Sequence, residues 1–301
     1  MPRSVLNIAH RGARAFAPEN TLEAIEKASR FAADMVELDV HLSRDGELIV
    51  HHDDDLVRCS DVRLRFPHRS SYFVSDFTAA EIRTLDAGSW YPTELQKSRE
   101  GRQPFLRTLT DVELREFVPD TDLQHYRSGR VRVPTLPECL QCADRIGLLI
   151  NVEIKAIPRF YPGIAEMVVG LVESLGMTDR VIISSFDHQQ LAVVRQLSSA
   201  IATAVLTSDR LFDPAAYIAR VLDADAYNPG CSEAHDSIGF GSVGEIVDVT
   251  TIKAARAAGL GVHVWTENDP DRMARLVRAG VTGVFTDYPN RLREVLETNG
   301  S

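Results

Sequence analysis

Two segments carry side chains suited to holding a cation, and two histidines carry side chains suited to moving protons. In 35-MVELDVHL-42 the residues Glu37, Asp39 and His41 alternate with Val36, Leu38 and Val40, and in 150-INVEIK-155 the residues Asn151, Glu153 and Lys155 alternate with Val152 and Ile154. A strand sends successive side chains to opposite faces, so each segment has one polar and one apolar face. The apolar face must pack against helices. That turns the carboxylates inward, where an isolated charge is costly unless paired or metal-bound. Glu37, Asp39 and Glu153 are hard oxygen donors suited to one divalent cation, Mg²⁺ or Ca²⁺. An internal ion-pair network, Glu153 with Lys155 and Glu37 with Arg11, accounts for the same charges without a cation, and strand parity alone does not choose between the two.

The histidines shift that balance. His10 ends the apolar run 5-VLNIAH-10. The segment 43-SRDG-46 is a turn signal, and 47-ELIVHHDD-54 reads as the return arm of a β-hairpin. Folded about Asp45, the hairpin brings His52 level with residue 38, between Glu37 and Asp39. Two imidazoles beside a divalent site supply what phosphoryl transfer needs, a base for the attacking hydroxyl and an acid for the leaving alkoxide. Three carboxylates around one divalent cation leave a single negative charge, and a phosphodiester adds another. Arg11 and Lys155, if they point inward, balance the site where charge grows on the non-bridging oxygens.

The elements that must position these residues repeat. From residue 133 onward, strand-sized runs (148–155, 180–186, 201–207, 224–229, 260–266 and 281–287) alternate with stretches of helical periodicity, several closing on Gly. With the runs at 5–10 and 35–42 the count is eight. Eight strands in β/α alternation over about 250 residues predict a closed TIM (β/α)₈ barrel. No G-x-G-x-x-G follows the first strand to favour an open doubly wound sheet. We read residues 1–301 as a single barrel domain with a β-hairpin after strand 2 and a long insertion. The insertion, residues 59–132, shows no regular apolar repeat and is expected to cover the active-site face. A second irregular stretch, 229–245, is expected on the same rim.

Composition narrows the function. The chain has 301 residues, of which 44% are apolar and 25% charged, and 33 basic against 43 acidic side chains leave a net charge of −10. Without basic clusters, a nucleic-acid partner is not expected, because such binding rests on many cations. The longest apolar runs are strand-sized, so no transmembrane segment is predicted. The opening MPRSVLNIAHRG lacks the apolar core of a secretory signal, which reads as a cytoplasmic protein. Four scattered cysteines do not make a disulfide framework, and Cys139-x-x-Cys142 lacks further ligands for zinc. Oligomeric state is not legible.

In order along the chain, 9-AHRGARAFAPENT-21, 37-ELDVHLSRDGELIVHHDDDLVR-58, 86-DAGSW-90, 151-NVEIK-155, 184-SSF-186, 264-VWTEN-268 and 283-GVFTDYP-289 resemble the glycerophosphodiester phosphodiesterase family. The resemblance implies a TIM barrel that hydrolyses small-molecule glycerophosphodiesters to glycerol 3-phosphate and an alcohol with a divalent cation. It implies His10 and His52 as the acid/base pair, Glu37, Asp39 and Glu153 as metal ligands, and Arg11 and Lys155 as phosphate-binding groups. The H-D-x-x-L-x-R pattern fits His52 to Arg58 and selects His52 over His51, whose opposite parity makes it a packing or solvent-facing residue. The attacking group is either the neighbouring glycerol hydroxyl, through a cyclic phosphate, or water. Where relatives continue L-x-R-T-T, this chain has Cys59-Ser60, and its insertion is longer than in the compact bacterial form, which bears on substrate range.

Other residues have more local readings. Trp265 either stacks on the glycerol carbons or fills the barrel mouth. Asn20 is expected to cap the first helix, in a capping box with Glu23. His41 is a hydrogen-bonding support or a rim residue, and His188 and His263 are structural. Two rival functions remain: a lysophospholipase D-like barrel acting on lysophospholipids, and a non-catalytic phosphate-binding barrel.

Overall fold

The computed structural model describes residues 5–230 and 248–299. Eight parallel strands close into a barrel: β1 (Leu6–Ala9), β2 (Met35–Leu42), β4 (Leu149–Ile154), β5 (Val181–Ser185), β6 (Ala202–Thr207), β7 (Ala226–Pro229), β8 (Gly261–Val264) and β9 (Gly283–Thr286). Each pairs with its neighbour, and β1 closes the ring by pairing with both β2 and β9. The return arm β3 (Leu48–Val50) runs antiparallel to β2, with Val40 opposite Val50 and His41 opposite Ile49, the register that a fold about Asp45 dictates. It is shorter than expected. The ladder bonds within the named strands stop at Val50, although the His51 N–H still donates to the Asp39 carbonyl at 3.0 Å.

Helices α1 (Leu22–Arg30), α7 (Leu136–Arg145), α8 (Ile164–Ser174), α9 (His188–Leu197), α10 (Pro214–Ala216, continued by a wide turn to Val221), α11 (Val249–Ala257), α12 (Pro270–Ala279) and α13 (Pro289–Asn299) surround the barrel. They cover the outward apolar set of the strands, including Val36, Leu38, Val40, Val152 and Ile154, in one continuous core. Inside, the lower barrel is filled by Ile8, Met35 and Phe285, with Leu6, Leu149, Ile182 and Trp265 packed on them. The inward parity of Met35 is that of Glu37 and Asp39, so the strands that build this floor also raise the carboxylates above it.

The insertion does have secondary structure: α2 (Val62–Arg65), α3 (Ala79–Ile82), α4 (Trp90–Leu95), α5 (Asp111–Phe117) and α6 (Asp120–Tyr126), joined by single 3₁₀ turns. Helices this short complete one or two turns, too few for an apolar period to be read. Their local signal is the capping box, formed by Thr78 with Glu81 and by Thr110 with Glu113. Gly88 is required where α4 meets α6, since a Cβ there would lie 2.6 Å from the Tyr126 carbonyl oxygen. The insertion packs on the β1–α1 loop: Phe117 meets Phe16 edge-on at 5.3 Å, and the Tyr91 hydroxyl donates to the Ala15 carbonyl at 2.6 Å. Cys139 and Cys142 are buried in α7, and burial pushes both thiols up. Of the stretch expected on the rim, residues 231–245 lie outside the described residues.

Candidate active site

The loop after β1 turns back on itself to reach the barrel mouth. Arg11 and Asn20 adopt left-handed backbone (φ 55° and 54°) and are joined by the Asn20 N–H to Arg11 carbonyl bond at 3.0 Å. Gly12, at φ 78°, lets α1 come close, since a Cβ there would lie 2.6 Å from Ala24. Non-glycine residues held in this region mark places where the surroundings impose a conformation. The effect here is to aim the Arg11 backbone N–H at Glu37 Oε2, at 2.9 Å.

Asn20 does not cap α1. The cap is Thr21, whose side chain accepts from the Ala24 N–H, and the Asn20 amide instead donates to Asp39 Oδ2 at 2.8 Å. One residue of register was misassigned because Asn and Thr are both good caps; the left-handed backbone of Asn20 points its side chain into the barrel. Glu23 pairs with His125 of the insertion at 2.9 Å, not with the helix end.

Glu37, Asp39 and Glu153 each present an oxygen such that all three lie within 4.8 Å of one another, the one such acidic, histidine or cysteine group among the described residues. Oxygens sharing a cation at about 2.0–2.6 Å lie no farther apart than about twice that distance, so the group fits one ion. The predicted pairs form only in part. Lys155 Nζ donates to Glu153 at 2.7 Å and lies 3.5 Å from Asp39, but Arg11 meets Glu37 through its backbone, while its guanidinium goes to Glu19 at 2.9 Å and to Asp39 at 3.4 Å. Glu37 Oε1 and Asp39 Oδ1 are buried and accept no hydrogen bond. Burial, then the nearby Asp39 and Glu153 charges, push the Glu37 carboxyl well up. Burial also raises Glu153, against the pull of Lys155. Asp39 is lowered, because His52, Lys155 and Arg11 outweigh its burial. Two orphaned oxygens among three crowded carboxylates form a group that could hold a hard cation.

The histidines flank this group. His10 Nε2 lies 3.9 Å from Glu37 Oε2, and its Nδ1 meets Asp287 Oδ1 at 2.8 Å. His52 Nδ1 meets Asp53 Oδ1 at 2.7 Å. An ionised carboxylate only accepts, so both rings carry their proton on Nδ1 and keep the Nε2 lone pair bare. Burial, then Arg14 and Arg11, lower His10 to about 4; burial, then Arg11 and Lys155, lower His52 to about 3. His41 is a buried support: its Nδ1 accepts from the Tyr161 hydroxyl at 2.9 Å, and its Nε2 donates to the His52 carbonyl at 3.2 Å. His51 packs away from the site and donates to the Asp55 carbonyl at 2.9 Å. Trp265 donates to the Asn228 carbonyl at 2.7 Å, meets Phe186 edge-on at 5.4 Å and rests on the barrel floor. His188 bonds Tyr217 and the Leu206 carbonyl, and His263 is buried beside Phe285, as expected of structural residues.

Reading the sequence alone missed the groups behind the histidines: Asp53, Asp287, Glu19, Arg14 and Arg58. Glu19, Asp53 and Arg58 sit inside the quoted P-E-N-T and H-D-x-x-L-x-R segments, so a signal existed. Asp287 and Arg14 also sit inside quoted segments, 283–289 and 9–21, but nothing local ties Asp287 to its partner His10, 277 residues away.

A (β/α)₈ barrel with a carboxylate triad and two aspartate-backed histidines at the C-terminal ends of its strands is the frame of a phosphoric diester hydrolase. Sequence comparison makes the assignment specific: the profile of the glycerophosphoryl diester phosphodiesterase family matches residues 10–291, and the chain belongs to that family. It is 32% identical to a glycerophosphodiester phosphodiesterase of Bacillus subtilis, over 98% of this chain and 87% of that protein. Among solved structures it resembles an Oleispira antarctica phosphodiesterase in complex with the product sn-glycerol-3-phosphate, at TM-score 0.71 and 26% identity over 96% of each chain. It also resembles a glycerophosphoryl diester phosphodiesterase of Silicibacter pomeroyi described from its crystal structure as putative, at TM-score 0.75 and 25% identity over 100% of this chain and 95% of that one.

Proposed function

We propose that the protein hydrolyses glycerophosphodiesters to glycerol 3-phosphate and an alcohol, with Glu37, Asp39 and Glu153 holding one divalent cation, Mg²⁺ or Ca²⁺, and His10 and His52 acting as the acid/base pair. The observation that carries this reading is the pair of orphaned carboxylate oxygens, on Glu37 and Asp39, in a triad flanked by two histidines with bare Nε2 atoms. A cation bound there polarises a phosphoryl oxygen and offsets the charge of the phosphodiester. Arg11 and Lys155, beside Asp39, bind the phosphate. One ring takes the proton of the attacking hydroxyl at its bare Nε2, and the other, once its own Nε2 has picked up a proton from solvent, passes that proton to the leaving alkoxide. Trp265 and Phe186 form an apolar wall at the mouth suited to the glycerol carbons. Residues 59–132 cover this face: Gln103 accepts from Arg58 at 3.0 Å, and the Phe105 ring lies 4.2 Å under the Arg14 guanidinium.

One observation favours the lysophospholipid alternative. The loop after Lys155 exposes Ile157 (57%) and Phe160 (65%), apolar side chains on the rim able to meet an acyl chain. A panel of glycerophosphodiesters and lysophosphatidylcholine, assayed in Ca²⁺, Mg²⁺ and Mn²⁺, decides between them. The expected result is release of glycerol 3-phosphate from glycerophosphocholine that stops on chelation and in His10→Ala. Choline release confined to lysophosphatidylcholine overturns the substrate class, and tight phosphodiester binding without turnover in any metal overturns the enzyme reading.

A further inference from the structure

The two flanking histidines lie on different strand ends, yet their supports converge on one carboxylate. Behind His10 stands Asp287, held by Arg14 through Nε and, at 3.1 Å, through Nη2. Behind His52 stands Asp53, held by Arg58 through Nε at 2.7 Å and Nη2 at 2.9 Å. Both guanidiniums reach Glu19: Arg58 at 2.7 Å and 3.0 Å, Arg14 at 3.5 Å. Glu19 is 5% exposed, and Arg58, Arg11 and Arg14 hold its carboxyl well below the usual range despite its burial.

We propose that Glu19 is a positioning residue that orients both histidines at once, through Arg14 and Asp287 to His10 and through Arg58 and Asp53 to His52. This rests on reading the histidines as the acid/base pair. A forked guanidinium fixes the plane of the carboxylate it grips, and that plane sets the direction of the ring N–H it accepts. Arg14 and Arg58 grip their aspartates this way, and a shared anchor fixes the two forks relative to each other. The spacing between the two Nε2 atoms is thereby set by one residue. That spacing matters, because a base and an acid must reach opposite sides of the same phosphorus. The insertion backs the arrangement by contributing Gln103 to Arg58 and Phe105 to Arg14. Glu19 also touches Arg11, which gives a competing role through phosphate binding alone.

The test uses the full-length, metal-supplemented enzyme with glycerophosphocholine and with a p-nitrophenyl ester of glycerol phosphate, whose leaving group departs without a proton. Glu19→Gln is expected to lower kcat on glycerophosphocholine by roughly 10–100-fold with little change in KM, the scale of misplaced reacting groups. The loss on the p-nitrophenyl ester is smaller, since only the base is still needed. Combined with Asp53→Asn or Asp287→Asn, the losses fall well short of multiplying, because the residues act along one line. Unchanged kcat, a rise in KM alone, or fully multiplying losses overturn the proposal. Should Glu19→Gln fail to fold, Arg14→Lys and Arg58→Lys keep the charge and lose the fork; a fall in kcat at steady KM supports the proposal, and wild-type kcat in both overturns it. His10→Ala and His52→Ala run alongside. If either histidine variant keeps wild-type turnover, the acid/base reading has failed and the proposal with it. If both are inactive while Glu19→Gln is not, the proposal alone has failed.

Discussion

Met35 and Asp39 lie on the same face of the same strand, and both are 1% exposed. Met35 belongs to the barrel floor with Ile8 and Phe285, an apolar cluster with the His263 ring beside Phe285. Asp39, with Glu37 between them, belongs to the layer above, where buried carboxylate oxygens go without hydrogen bonds and three like charges crowd together. Burial therefore does not separate structural from functional positions in this barrel. The crowding of like charge does: the floor is built of side chains that need no polar partner, and the layer above holds three carboxylates with two oxygens left without a hydrogen bond, as a cation site would.

The largest effect that tests this contrast comes from the upper layer. Glu37→Gln is expected to lower kcat/KM by roughly 10²–10³-fold, the scale of losing a preorganised electrostatic contact in an active site. Its urea midpoint, measured without metal, should not fall, since the change relieves repulsion with Asp39 and Glu153. Added Ca²⁺ or Mg²⁺ should raise the melting temperature of the wild type and not that of the variant, as linkage requires of a ligand that binds only the native site. A large drop in the metal-free midpoint would mean that the carboxylates are structural.

The floor should respond in the opposite sense. Met35→Ala opens a cavity and is expected to cost about 2–5 kcal/mol of stability, read from urea unfolding, while kcat per folded molecule stays close to wild type. A collapse of kcat with little loss of stability would erase the distinction between the two layers.

The smallest effect comes from a charge with ordinary partners. Glu113 of the insertion receives Arg291 of α13 at 2.7 and 2.8 Å, and the Thr110 N–H at 3.0 Å. Burial opposes its ionisation, but the Arg291 hydrogen bonds and charge win and lower it to about 2. A carboxyl held below its unfolded value of 4.5 stabilises the fold above about pH 4.5, and that contribution is lost as pH falls toward 2. Glu113→Gln should therefore lower stability at pH 7 by about 1–2 kcal/mol after allowance for solvent screening. The gap to wild type should close near pH 2 in urea titrations. A gap that persists there would assign the loss to packing and not to charge.

The strands were the most legible part, because the period of two in 35–42 and 150–155 is imposed by backbone geometry that any neighbour must accept. The hairpin register followed from one turn, and it carried His52 to the correct height. The insertion was illegible as helices for lack of length, although its capping boxes were in plain view. Asn20 shows a different limit: its residue type allowed a cap or a contact with Asp39, and only the left-handed backbone at that position chose the contact.

From sequence alone came the number of strands, the inward face of the two that carry the acidic residues, and hence the grouping of Glu37, Asp39 and Glu153, since these depend on rules acting within a few residues. Tertiary structure decided how the histidines are held. Closing β1 onto β9 brings Asp287 to His10, and the folded insertion and hairpin bring Arg58 beside Glu19. Those pairings join distant parts of the chain through side chains whose direction no local period encodes, so they exist only once the ring has closed.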